Sequence, residues 1–181
     1  ITSCYKEILS ADKVVLPGVG SFSFCKSKLL ENTDVYKALC DLVIDQKKPF
    51  LGICVGMQLL ATKGHEGQRN NLGLDWISGE VRKLIVKQSF KVPHMGWNSL
   101  RFNKSHPLFK DVHTNDHFYF VHSYEFKAFS ENEVVATTDH AKQIVAAIAK
   151  GNIVGLQFHP EKSQTQGLKI IKNFIKWDAF I

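Results

Sequence analysis

The sequence predicts an α/β fold: an open, mostly parallel sheet flanked by helices and carrying an antiparallel β insertion. Three observations predict it. Two short apolar runs, KVVLPG (13–18) and KPFLGI (48–53), each run into a glycine-containing turn, as buried parallel strands do. Between them, apolar residues recur at helical spacing. From about residue 79 the pattern changes to short strands separated by turn-rich segments.

Taken in order, TDVYKALCDLVIDQ (33–46) places Val35, Leu39, Leu42 and Val43 on one helical face, with Thr33 as N-cap. VGMQLLATK (55–63) is the helix expected after the second strand. GEVRKLIV (79–86), WNSLRF (97–102), HFYFVHSY (117–124) and NEVVATTD (132–139) read as strands. KQIVAAIAKGNIVGLQFHPE (142–161) reads as a hairpin about Gly151-Asn152. A last helix spans about Gln166 to Trp177, with Leu168, Ile171, Phe174 and Ile175 apolar and Lys169, Lys172 and Lys176 polar. An open α/β sheet usually starts with a strand and a crossover helix, yet KEILSADKVVLPG follows almost at once. The expectation is therefore one domain over 1–181, N-terminally incomplete and lacking its first strand.

Composition narrows the function classes. Of 181 residues, 44% are apolar and 22% charged, ordinary for a soluble globular domain. No apolar run approaches the roughly 18 residues of a membrane span, so no membrane association is expected. The net charge is +6, but the lysines are scattered and no basic stripe carries interleaved aromatics, so no nucleic acid is expected either. Cys4, Cys25, Cys40 and Cys54 have no framework spacing, which fits a reducing, cytoplasmic setting with one reactive thiol at most. None of the eight histidines has zinc spacing, so no metal and no cofactor are expected.

The chemistry centres on Gly52-Ile53-Cys54-Val55-Gly56, a G-x-C-x-G turn between a strand and a helix. It is the thiol counterpart of the nucleophile elbow, whose sharpness requires glycine on both sides. Such a turn presents the sulfur at the carboxyl edge of the sheet, near a helix N-terminus that favours thiolate. It also leaves the Val55 N–H free to face an oxyanion. A small buried cysteine in a tight turn fits the same five residues, and the turn alone leaves both readings open.

Two further segments bear on it. In LQFHPEKS (156–163), His159 ends an apolar strand and Glu161 lies on the same side two residues on. A carboxylate there can fix the imidazole tautomer and leave the other nitrogen for sulfur. In LPGVGSF (16–22), the glycines let the backbone approach a ligand, and the N–H of Val19 or Gly20 is a candidate second oxyanion donor. Flanked by glycines, the Val19 peptide can flip, so this donor is a candidate switch.

PGVGSF, GICVGMQLL and FHPEKS, in that order, resemble the class I (triad) glutamine amidotransferases. VPHMGWN (92–98) and FYFVHSY (118–124) narrow the resemblance to the glutaminase subunit of imidazole glycerol phosphate synthase. The resemblance implies that Cys54 attacks the side-chain amide of glutamine, His159 relays protons and Glu161 orients it. It implies that Gln58 and Glu66 hold the glutamine head group, with the backbone of His122, Ser123 and Tyr124 beside its carboxylate. It further implies a (β/α)8 cyclase partner that receives the ammonia, met at or near Trp97, Tyr119 and Lys162. A paralogue supplying ammonia to surface-polysaccharide sugar synthesis, a non-catalytic binding homologue and a free-standing thiol hydrolase are the alternatives. The intact Cys54, His159 and Glu161 argue against the binder, and PHMGWN against the hydrolase.

Overall fold

Residues 1–67, 71–86 and 90–179 are described by the computed structural model. Helix α1 (Tyr5–Leu9) precedes strand β1 (Val14–Gly18). Helices α2 (Phe22–Glu31) and α3 (Thr33–Cys40) follow, and α3 continues into a wider π turn over Asp41–Asp45. Strand β2 (Phe50–Cys54) passes directly into the short helix α4 (Val55–Gln58). The middle of the chain holds β3 (Lys63–Gly64), β4 (Asn71–Leu72), β5 (Gly79–Lys83), β6 (His94–Ser99) and β7 (Arg101–Phe102). Then come β8 (His117–His122), β9 (Tyr124–Ala128), β10 (Val134–Asp139), β11 (Gln143–Lys150), β12 (Ile153–Leu156) and helix α5 (Gln164–Lys176).

A six-stranded sheet, ordered β1-β2-β12-β11-β10-β7, organises the molecule. β2 pairs in parallel with β1 and with β12, whereas the β12–β11, β11–β10 and β10–β7 pairings are antiparallel. The α/β expectation therefore takes the form of a mixed sheet, in which part of the antiparallel half extends the parallel strands instead of standing apart. Two smaller sheets, β4-β3-β5-β9 and β6-β8, carry the remaining strands. β2 is buried at every position, and that is why FLGIC reads as an unbroken apolar run.

The hairpin expected at Gly151-Asn152 forms, with Lys150 paired to Ile153 and Gly151 at φ 56°. Asn152 is buried, and its amide donates to the carbonyls of Val43 and Lys48, tying the hairpin to the end of the helical layer.

The helices depart more from expectation. α2 was not legible because it buries only Phe22 and Leu29, too few for a periodic stripe. Asn32, not Thr33, caps α3: its Oδ1 accepts from the Val35 N–H. The helix expected over 55–63 stops at Gln58. The carbonyls of Leu59 to Thr62 are taken by the amides of residues 73–77, which close the chain into turns instead of a further helix. On α5 the buried residues are Gly167, Ile170 and Phe174, while Leu168 and Ile175 are exposed, so the apolar face is rotated from the one expected.

Candidate functional site

The elbow forms at the junction of β2 and α4, with Cys54 at φ 55° and ψ −109°. A non-glycine residue there is strained, and a rigid surround must hold it. The glycines explain how the surround comes so close. A Cβ on Gly52 would lie 2.6 Å from the Gly56 carbonyl oxygen, and one on Gly56 would lie 1.9 Å from the Leu16 carbonyl oxygen on β1. Gly52 thus relieves the turn itself, and Gly56 lets β1 pack against it.

Cys54 is 5% exposed. Burial pushes its thiol up to about 11, and the Val55 N–H pulls the other way. The sequence suggested the opposite balance, a thiolate favoured by a helix N-terminus. α4 is only four residues long, so little helix dipole is available to offset desolvation. In the resting site the sulfur lies 4.0 Å from the Val121 carbonyl oxygen and 3.9 Å from Gln157 Nε2.

His159 follows β12, and its backbone is pinned to β8: its N–H donates to the Tyr119 carbonyl at 2.9 Å. Ser163 reinforces this, with its Oγ donating to the His159 carbonyl at 2.6 Å and accepting from the Tyr119 N–H at 2.9 Å. Nδ1 of His159 lies 2.6 Å from Glu161 Oε1. Since a carboxylate accepts, Nδ1 carries the proton and Nε2 is the free base position. Nε2 is buried and has no hydrogen-bond partner among the described residues.

Cys54 and His159 line one cavity of about 320 Å3. Val19, Gly20, Val55, Gln58, Glu66, His122, Ser123, Tyr124 and Lys162 line it too, which brings the expected oxyanion and substrate positions into a single site. Glu161 is tied to it through His159. Gly20 adopts φ 112°, which favours glycine, although a Cβ there would meet open space. The Val19 carbonyl accepts from the Cys25 thiol on α2 at 3.5 Å. In a trans peptide the following N–H points the opposite way, so the Gly20 N–H is directed away from α2.

The polar wall is held by specific bonds. Gln58 is buried, and its Nε2 donates to the Tyr124 carbonyl and to Gln157 Oε1, each at 3.1 Å. Both donors are spent inside the protein, which leaves its carbonyl oxygen for a bound amide. Glu66 Oε2 accepts from the Phe22 N–H at the start of α2, at 2.6 Å.

Sequence reasoning missed Gln157, His94, Pro93 and Val121. Pro93 and Val121 line the cavity. Gln157 is fully buried, two residues before His159, and a glutamine inside an apolar strand end was the available signal. His94 is stacked between Phe120 and His140, with ring centroids at 4.7 and 4.2 Å, and its Nδ1 is 3.0 Å from His122 Nε2. Burial, with a smaller contribution from neighbouring histidines, lowers His94 to about 3 and His122 to about 4. Both rings are therefore neutral.

The three residues expected at a partner surface form one cluster. Trp97 and Tyr119 are paired across β6 and β8 in an edge contact at 5.9 Å, and Lys162 Nζ lies 6.0 Å over the Tyr119 ring. Among the described residues, no helix is long and apolar enough to cross a membrane, and no group of three acidic, histidine or cysteine side chains is arranged to hold a metal.

Known proteins resemble the chain across almost its whole length. Residues 3–177 match the family described as Glutamine amidotransferase class-I. A protein of Brucella abortus (strain 2308) named imidazole glycerol phosphate synthase subunit HisH is 45% identical over 181 residues, 98% of this chain and 83% of its own. Its namesake in Pelagibacter ubique is 46% identical over 176 residues, 97% of this chain and 84% of its own. A solved glutamine amidotransferase superposes with a TM-score of 0.69 at 15% identity, covering 99% of this chain and 85% of that one, a likeness of fold. The elbow, the histidine–carboxylate pair and these matches agree: the chain belongs to the class I glutamine amidotransferase family.

Proposed function

We propose that this chain is the glutaminase subunit of an imidazole glycerol phosphate synthase, releasing ammonia from glutamine for a partner cyclase in histidine biosynthesis. The observation that carries the reading is His159: its Nδ1 is committed to Glu161, and its unpartnered Nε2 belongs to the residue that shares a cavity with the Cys54 sulfur. The relatives named as synthase subunits support the choice of pathway.

Glutamine enters the cavity with its side-chain amide toward Cys54. The Gln58 carbonyl oxygen and the Glu66 carboxylate suit the head group, and the backbone of His122 to Tyr124 suits the carboxylate end. His159 Nε2 takes the thiol proton as the sulfur attacks the amide carbon, and Glu161 stabilises the imidazolium. Oxyanion charge falls to the Val55 N–H and to a donor from the Val19–Gly20 loop. Collapse expels ammonia, which takes its proton from His159, and leaves a glutamyl thioester on Cys54. Water, activated by the same imidazole, then releases glutamate.

A thiol held at about 11 fits an enzyme that is quiet until its substrate and partner are in place. The exposed Trp97, with Tyr119 and Lys162, supplies the surface for a (β/α)8 cyclase, since aromatic anchors suit such contacts. The test is glutamate release by the chain alone and with a candidate cyclase plus its ribonucleotide ligand, with Cys54→Ala as control. A Cys54-dependent rise on adding the cyclase is expected. No rise from a folded chain would refute the histidine-pathway assignment.

A further inference from the structure

We propose that Gln157 is a positioning residue for the nucleophile: its side-chain amine faces the Cys54 sulfur and favours its ionised form, held in that sense by a chain of oriented hydrogen bonds that reaches back through the buried His94 to the partly buried Asn98. The inference rests on Cys54 being the nucleophile.

The direction of every bond follows from two backbone carbonyls, which can only accept. The Asp139 carbonyl lies 2.8 Å from Asn98 Nδ2, which fixes the orientation of that amide. Its amine also lies 3.2 Å from His94 Nε2, so Nε2 accepts and His94 Nδ1 carries the proton. Nδ1 donates to His122 Nε2 at 3.0 Å. His122 then carries its proton on Nδ1 and donates it to the Tyr124 carbonyl at 2.8 Å. The same carbonyl accepts from Gln58 Nε2, whose second hydrogen goes to Gln157 Oε1. With its oxygen taken, Gln157 has only its amine left to aim at Cys54 Sγ, 3.9 Å away.

His94, His122, Gln58 and Gln157 are all buried, so water offers them little competition and the orientation is not averaged away. A resting thiol can donate toward the Val121 carbonyl. Once ionised, the sulfur is repelled by that oxygen, and the Gln157 amine becomes a charge-assisted donor that can draw closer. The other ionisable groups around the sulfur are Glu161, Lys162 and His159 after β12, and Cys25 on α2. His122, Tyr124 and Glu66 complete the ionisable part of the cavity wall.

The experiment follows alkylation of Cys54 by iodoacetamide against pH, read on the Cys54 peptide by mass spectrometry, in the parent protein and in Gln157→Met, Gln157→Glu and His94→Phe. No glutamine is needed, so the result is independent of the substrate assignment. Both Gln157 variants should raise the alkylation midpoint by roughly one pH unit, or slow alkylation about tenfold at a fixed pH below it. His94→Phe should raise it less, because Gln157 is then held less firmly. A merely structural role would change the reacting fraction equally at all pH values and leave the midpoint in place. An unmoved midpoint in folded Gln157 variants overturns the proposal, as does loss of folding in both, which would make the network a core element. A Cys54 that is unreactive at every pH in the parent protein would instead sink its role as nucleophile.

Discussion

His159 and Glu161 are joined by a 2.6 Å bond on the Nδ1 side of the ring, and the other side has no partner among the described residues. Glu161→Gln keeps an oxygen that can accept from Nδ1 but removes the charge that stabilises an imidazolium. Partner-stimulated kcat for glutamate release should fall by about 10²-fold, within the range of general acid–base effects. The Glu161 side chain is 48% exposed, so the melting temperature should hardly move. Kinetics and a thermal melt on the same sample check both statements.

Two glycines at the site should fail in different ways. Gly56→Ala drives a Cβ to within 1.9 Å of a backbone oxygen of β1, and backbone cannot step aside as a side chain can. Overpacking of this kind costs about 1–3 kcal/mol or more, so a lower denaturation midpoint is expected. Gly20→Ala meets none of the described residues within 4 Å, but φ 112° is unfavourable for alanine. Its cost stays in the loop that borders the sulfur, so glutaminase rate should drop with little loss of global stability. A Gly20→Ala protein as active as the parent would remove that loop from the oxyanion argument.

These contrasts also mark what the sequence could carry. The elbow, FHPE and the Gly151-Asn152 hairpin were legible because each needs particular residue types at a fixed local spacing. Strand β2 was legible because burial on both faces leaves a continuous apolar run. Helix α2 was not, since two buried residues make no stripe. α4 was over-extended because Leu59, Leu60 and Ala61 are buried whether the chain is helical or turned, and distant amides decide between the two. The sense of the Cys54 shift depends on how deeply the cavity sits, a tertiary property. The His94–His122–Gln58–Gln157 chain joins residues far apart in sequence, where no spacing rule reaches.

Acid should destabilise the fold through its buried histidines. Burial lowers His94 from 6.5 to about 3, and His122 and His106 to about 4. For each, the unfolded chain takes up its proton at a higher pH than the folded one. The stability present above pH 6.5 is therefore lost as the pH falls toward 4 for His106 and His122 and toward 3 for His94. Denaturant midpoints should decline steadily across that window. In NMR spectra the His94 and His122 rings should still report neutral imidazole at pH 5. Rings already charged at that pH would contradict the buried hydrogen-bond chain.

Trp97 is the residue to remove when testing the partner surface. It is 47% exposed, and Met95, on the same face two residues earlier, is 65% exposed. Across the strand pair, Trp97 faces Tyr119 and Met95 faces Val121, which itself lines the cavity. Apolar side chains thus run from open solvent to the wall of the Cys54 cavity. A large aromatic left half-exposed adds little to folding, but as a central anchor it is worth about 2 kcal/mol of binding, close to a thirtyfold change in Kd. Trp97→Ala should weaken cyclase binding by that order in a calorimetric titration while leaving the melting temperature nearly unchanged. Tyr119 of the exposed cluster and Val121 of the cavity wall both lie on β8, so partner stimulation at saturating cyclase should also fall. Undiminished binding would move the interface off the β6–β8 face.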